Sequence, residues 1–380
     1  MTSGTIRVFY LINSFAQGGA ERQMAELVRR LPRDRFEPIL CLLQDENAYG
    51  YLLPPDQPRY VMRNGVGLAS LGTLREWLRT ERPHIVHSFM EYSNLWSRLL
   101  APGIGDPIVV TSVRGPLMDV KYGVIEGLLS SRCDVIGVNS VGIRDELVNW
   151  EHVPPRKIRI IRNILDTERF RPAGDGVRER IRAELGLRGP TFLVPGRIAF
   201  EKYQFGVGLA AGLLRLRGRL PDGVTFLLAG RVEWPADLAV DWAEKLGGVA
   251  SHFRYLGQYK DVTQLYAAAD WVLLPSLCEG LCNAALEAHA CARPLLMSHA
   301  ANLDGILADR VTGYEFGTGW IGPMAEAIER AVATPPELAE AMGRAGRERV
   351  LRMFDPDEAL RSVIDLYEEL MARRKAGKDP

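Results

Sequence analysis

The sequence predicts an α/β protein built as two doubly wound, Rossmann-like domains facing across a cleft. Three observations point to it. Short runs that are apolar on both faces alternate with amphipathic helical segments, as parallel strands covered on both sides require. The alternation pauses once, at the polar, Gly- and Pro-bearing stretch 163–176, and then restarts. The length of 380 residues exceeds what one compact core holds and suits two.

In order, "IRVFYLI" (6–12) reads as a buried strand, "NSFAQGG" as a loop and "AERQMAELVRRL" (20–31) as a helix. Strands follow at 36–43, 84–89, 107–113, 133–140 and 157–163, with a helix at 71–83 whose Leu71, Leu74, Trp77 and Leu78 share a face. After the 163–176 linker the strands are 191–198, 225–231, 253–257, 271–276 and 293–298. A last helix opens at Asp355, an N-cap residue type, and ends in basic residues that match its dipole. The expected domains are 1–165, with the C-terminal helix 355–380 packing back onto it, and 166–354. Ligands are expected where strands present their carboxyl ends.

Composition removes several function classes. Lys+Arg and Asp+Glu both total 47, so no net field draws in nucleic acid. Five scattered cysteines without a C-x-x-C pair suit buried thiols in a reducing compartment. No run approaches the ~18 apolar residues of a membrane span. A cytoplasmic protein is expected. Arg29, Arg30, Arg33 and Arg35 form a basic face that could touch an anionic membrane, though a solvated face explains them as well.

Three stretches carry chemistry. "GGAER" (18–22) places Gly18 and Gly19 before a helix, where backbone N–H groups can approach an anion or simply make a tight turn. "VPGRIAFEKYQ" (194–204) puts Arg197 past a strand and Lys202 before a helix starting near Gln204. Two cations there repel each other and oppose the dipole unless an anion lies between them, and a diphosphate would answer. "LCEGLCNAALEAHACARPL" (277–295) sets Glu279 in a strand-to-helix loop and Glu287 one turn into the helix. Backbone amides of Gly280, Leu281, Cys282 and Asn283 can face phosphate oxygens. Glu287 suits a vicinal diol such as ribose, and Glu279 a sugar.

"EGLCNAALEA" resembles the E-x7-E motif of the retaining GT-B glycosyltransferases of family 4. "GGAER" is similar to that family's N-terminal glycine loop, "RPHIVHSF" to the strand before its acceptor cleft, and "KIRIIRNILDTERFRP" to its hinge. "VPGRIAFEK" is similar to its diphosphate clamp, and "FRYLGQYKDVTQLYAAADWVLLPSLCEG" to its nucleotide-base segment. The resemblance spans nearly the whole chain. It implies GT-B architecture and metal-independent transfer of a sugar from a UDP- or GDP-sugar to a hydroxyl of a glycan, glycolipid or small molecule, with no cofactor. Glu279, Arg197 and Lys202 are then catalytic. Gly18, Gly19, Gly280, Leu281, Cys282, Asn283 and Glu287 hold the donor, and His87 and Arg114 lie on the acceptor side.

Two stretches depart from the family pattern. "VVTSVRGP" has Arg114 nearest the place of a family histidine, and "SHAANLDGI" replaces a Gly-Gly turn. The alternatives are a UDP-GlcNAc 2-epimerase-like enzyme of the same fold, or a catalytically silent nucleotide-sugar-binding subunit. "GTGWIG" (317–322) matches G-x-G-x-x-G but comes late in the second domain and precedes Pro323, so it is set aside. "GVGLAAG" (206–212) reads as helix packing. His84 and His87 face opposite sides of one strand and share no metal, and His289 with Cys291 reads as core filling.

Overall fold

The computed structural model describes residues 5–16, 18–62, 68–117, 119–233 and 248–377. The chain divides into two units, Met1–Ile164 with Pro356–Pro380, and Leu165–Asp355. Ile164 packs into the first unit's core, whereas Leu165 and Phe170 pack into the second's. The stretch expected to be a linker is therefore anchored: its polar residues hide three buried apolar side chains.

The first unit runs β1 (Ile6–Ile12), α1 (Gly19–Arg30), β2 (Phe36–Leu42), β3 (Arg59–Val61), α2 (Leu68–Glu81), β4 (Ile85–Phe89), α3 (Glu91–Leu100), β5 (Ile108–Val113), α4 (Val120–Leu129), β6 (Val135–Val138), α5 (Val141–Asn149) and β7 (Ile158–Ile160). Its parallel sheet has the order β3-β2-β1-β4-β5-β6-β7, with Val8 opposite Ile85 and Tyr10 opposite Leu40. Both faces are covered, so the central strands are mostly apolar, and the polar residues they do carry, such as His87 and Ser88 on β4 and Thr111 and Ser112 on β5, are fully buried. Asp119 and Ser140 cap α4 and α5, accepting from Lys121 N at 3.0 Å and Ile143 N at 3.0 Å.

The second unit runs α6 (Val177–Glu184), β8 (Thr191–Pro195), α7 (Gln204–Leu216), β9 (Thr225–Ala229), β10 (Phe253–Tyr255), α8 (Val262–Ala268), β11 (Trp271–Leu274), α9 (Asn283–Ala290), β12 (Leu295–Ser298), β13 (Gly313–Phe316), α10 (Ile321–Ala333) and α11 (Pro336–Met353). Its parallel sheet has the order β10-β9-β8-β11-β12-β13. Chain order reverses between β8 and β11, so the crevice at their carboxyl ends is the expected ligand position of this unit. A final helix, α12 (Pro356–Lys375), lays Val363, Leu366, Tyr367 and Leu370 into the first unit's core beside Val8, Tyr10 and Ile85.

His289, on α9, is fully buried, and its Nδ1 donates to the Arg293 carbonyl at 3.0 Å. Burial pushes the ring down to about 4. Because the folded value lies below the free value of about 6.5, the neutral ring contributes its full stability above that pH. The contribution is lost as pH falls from there towards 4. At pH 5 the loss is about 2 kcal/mol. Melting temperature should fall between pH 7 and pH 5 in the wild type and fall less in His289→Gln; an equal fall in both would refute a neutral buried imidazole.

Candidate active site

Arg197 and Lys202 lie between β8 and α7, at the carboxyl end of a central strand. Gly196 (φ +113°) turns the chain there, close against the next loop: a Cβ on Gly230 would meet the Gly196 carbonyl oxygen at 1.8 Å. Arg197 Nη2 donates to Glu201 at 3.0 Å, and Nη1 pairs with Glu233. Burial, the largest single influence, would lower the guanidinium, and the carboxylates of Glu233, Glu201 and Glu279 together keep Arg197 above its usual value.

Lys202 donates from Nζ to Glu279 Oε1 at 2.5 Å. Burial is the largest single influence and works against the ammonium, but the charge and hydrogen bond of Glu279, together with the nearby Cys282, hold Lys202 above its usual range. Glu279 reaches this pair from the loop after β11, the strand beside β8. Ser276 Oγ donates to the same Oε1 at 2.7 Å. Glu279 Oε2 therefore accepts no hydrogen bond from a described residue, and an ammonium with one acceptor has two further N–H donors. These are the groups a ligand can address.

The sequence reading of these cations needs correction. Their mutual repulsion implied a foreign anion, but the protein supplies carboxylates: Glu201 and Glu233 for Arg197, and Glu279 for Lys202. An incoming anion must compete with Glu279 rather than fill an empty charge.

Glu287, the fifth residue of α9, is buried, and Tyr266 on α8 donates its hydroxyl to Oε2 at 3.0 Å. Between the glutamates, Leu281 and Cys282 turn their side chains into the hydrophobic core, and Gly280 and Asn283 are half-buried. The segment thus offers backbone at the N-terminus of α9. Burial, then the nearby Glu279 charge, raises the Cys282 thiol to about 12, so it stays protonated.

Gly18 is the N-cap of α1 and Gly19 its first residue. A Cβ at Gly18 would sit 2.2 Å from Glu21 Oε2, so this carboxylate occupies the space beside the turn. His87 does not present itself as an acceptor contact. His87 is fully buried on β4, with Nδ1 2.5 Å from the Tyr367 hydroxyl and Nε2 2.8 Å from Ser112 Oγ. Burial, and then the charge of Arg114, holds its ring well below the usual range. Arg114 donates to Ile161 O and Asn163 Oδ1, both at 3.2 Å, and stacks 4.5 Å over Phe89. Burial lowers it to about 10. His87 thus serves the interior that receives α12, whereas Arg114 stays partly exposed beside it.

The basic residues at the end of α1 and just beyond it have partners of their own. Arg29 and Arg30 pair with Glu26, Arg33 donates to Gln57, and Arg35 pairs with Glu368. No described helix is long and apolar enough to cross a membrane.

Sequence reasoning missed Ser276, Tyr266, Glu201 and Glu233. Ser276 had a signal, since it follows the strand end, and so had Glu201, four residues from Arg197 in the quoted stretch; Tyr266 and Glu233 act through contacts across the fold. "GTGWIG" was set aside, yet it links β13 to α10, a true strand-to-helix position, and Pro323 falls in the first helical turn, where it breaks nothing. His84 accepts from Arg7 N at 3.0 Å. Among the described residues no group of three His, Cys, Asp or Glu side chains could hold a metal ion.

Residues 17–169 match the model described as Glycosyltransferase Family 4, and residues 177–349 that of Glycosyl transferases group 1. An alpha-maltose-1-phosphate synthase of Mycobacterium tuberculosis is 28% identical over 93% of this chain and 96% of its own. A UDP-Gal:alpha-D-GlcNAc-diphosphoundecaprenol alpha-1,3-galactosyltransferase of Escherichia coli is 25% identical over 94% and 95%. The Anabaena HepE structure in complex with UDP-glucose has a TM-score of 0.83 at 16% identity, covering 96% of this chain and 100% of that one. The chain therefore belongs to the group 1 glycosyltransferases of family 4 and is a glycosyltransferase of GT-B architecture.

Proposed function

We propose that the protein is a retaining, metal-independent transferase that moves a sugar from a nucleoside diphosphate to a hydroxyl of a glycan, glycolipid or small molecule. The observation that carries this reading is the Lys202–Glu279 pair, which joins the two loops at the switch point of the second sheet. UDP is the favoured carrier, since the similar Anabaena protein was solved with UDP-glucose and the similar E. coli enzyme is named for UDP-Gal.

In the step itself the bond from the anomeric carbon to the diphosphate oxygen breaks, and negative charge grows on that oxygen. Lys202, through its remaining N–H donors, and Arg197 stabilise that charge, the task a divalent ion performs elsewhere. The acceptor oxygen bonds to the same face of the carbon, and its proton passes to the departing phosphate oxygen. Glu279 faces the positive anomeric centre with Oε2. Glu287, held by Tyr266, takes the ribose hydroxyls, and the amides at 280–283 take phosphate oxygens. Gly18 and Gly19 are the first unit's donor-side turn. On this reading the enzyme works in the cytoplasm.

A panel of UDP- and GDP-sugars, assayed by calorimetry and by release of nucleoside diphosphate with and without EDTA, tests the assignment. One or more donors should bind and turn over at a rate EDTA leaves unchanged. Binding without turnover on any acceptor would identify a silent subunit; loss with EDTA and rescue by Mg²⁺ would remove the cationic clamp from the mechanism.

A further inference from the structure

The side chain of Trp320 breaks two rules at once. It is 69% exposed, a large apolar ring left in water. It also stands at the N-cap of α10 without making a side-chain cap, where Ser, Thr, Asp or Asn would satisfy an amide. Its indole is therefore open to a ligand, and the loop that carries it decides which one it can reach.

The loop that carries it, 317–320, is fastened to the loops of the candidate site. Tyr203, the residue after Lys202, donates its hydroxyl to the Gly319 carbonyl at 3.1 Å. Leu277, two residues before Glu279, lies 3.5 Å from where a Cβ on Gly319 would sit, and its amide donates to the Glu201 carbonyl at 2.8 Å. Thr318 Oγ1 accepts from Ala300 N at 2.8 Å. The brace carries strain. Tyr203 has φ +55°, a left-handed conformation unusual for a bulky residue, and Gly206 makes way for its ring, since a Cβ there would approach the ring at 2.4 Å. Strain of this kind persists where surrounding contacts over-determine it, and here they fix the position of the Trp320 loop against the Lys202 segment.

Position in the sheet says what the ring meets. β13 lies two strands outward from β11, a lateral offset of about 10 Å. It lies on the side away from β9 and β10. A diphosphate at the β8–β11 crevice whose nucleoside lies on the β9 and β10 side sends its sugar towards β13. We infer that Trp320 is a specificity residue whose indole face stacks on the apolar C–H face of a pyranose ring, belonging either to the donor sugar or to the acceptor. The electron-rich indole face attracts the weakly positive axial C–H groups, while the hydroxyls around the ring stay free for polar partners. This inference rests on the nucleotide-sugar reading of the site.

The test compares wild type, Trp320→Ala, Trp320→Phe and Trp320→Asp. Calorimetry uses UDP and the best-bound UDP-sugar of the panel; saturation-transfer NMR uses methyl α-glucoside in the presence of UDP. UDP should bind all four alike. If the donor ring stacks, Trp320→Ala weakens the UDP-sugar about three- to tenfold. If the acceptor ring stacks, the UDP-sugar is unaffected and the glucoside signal is lost instead. Trp320→Phe should restore much of either effect. Trp320→Asp should show the same loss with a melting temperature equal to or above wild type, because it caps α10, which a merely structural tryptophan would not allow. Equal sugar affinities in wild type and Trp320→Ala, with UDP bound by both, would overturn the stacking role alone. If wild type bound no nucleotide or UDP-sugar, the underlying reading of the site would fall with it.

Discussion

Lys202→Ala slows transfer by about 10²–10³-fold, the scale for removing one donor aimed at charge that develops in the transition state. Lys202 has two consequences here. It is a half-buried cation available to the departing diphosphate, and it neutralises Glu279, whose side chain is 12% exposed. Removing it leaves that carboxylate with Ser276 as its described hydrogen-bond partner. Part of the loss is thus the cost of a half-buried charge without its counterion. The double variant Lys202→Ala/Glu279→Gln should then lose clearly less than the two single losses combined, because residues in contact are not additive. Single and double kcat/KM values measured with one donor check this. A near-wild-type rate for Lys202→Ala, or strict additivity in the cycle, would mean that the pair is a surface feature of the loop.

Much of the fold was legible because parallel strands covered on both faces must be apolar throughout. "IRVFYLI" became β1 at the expected place, and the strand expected at 191–198 became β8, which stops at Pro195, before the turn at Gly196. The three-residue β3 and the four-residue β13 were missed; both lie at sheet edges and are too short to show a period. At the site, the positions of Lys202 and Glu279 followed from local rules, since a strand end and a helix start bracket each. Their pairing did not, because the partners stand 77 residues apart. Arg197 seemed to lack an anion although Glu201 lies only four residues on, and its second partner, Glu233, waits 36 residues on. His87 is the sharper case: its sequence context suggested a cleft, but Tyr367, 280 residues away on α12, closes over it. Local pattern tells which loop a side chain leaves from. Only the fold tells what it meets.

Glu279→Gln should lower kcat by about 10²-fold while leaving UDP bound as tightly as before, or tighter. The two halves have different causes. In the free protein Glu279 holds Lys202 through Oε1, so an incoming diphosphate must draw the ammonium away from a carboxylate and approach a like charge. The neutral amide holds Lys202 less strongly and does not repel phosphate, so the ground state with UDP gains or stays level. In the transition state the balance reverses. Positive charge grows at the anomeric carbon as the diphosphate departs, and a carboxylate facing it stabilises that charge where an amide does not. Size and shape are kept, and Ser276 can still donate to the amide oxygen, so the fold is spared. A fall in kcat with an undiminished UDP affinity is what an interaction made only in the transition state leaves behind. Calorimetry with UDP and turnover with the panel's donor, on the same preparation, separate the outcomes. If kcat held steady, Glu279 would be a counterion and nothing more; if UDP affinity collapsed along with kcat, the carboxylate would be positioning Lys202 for the phosphate rather than acting on the sugar.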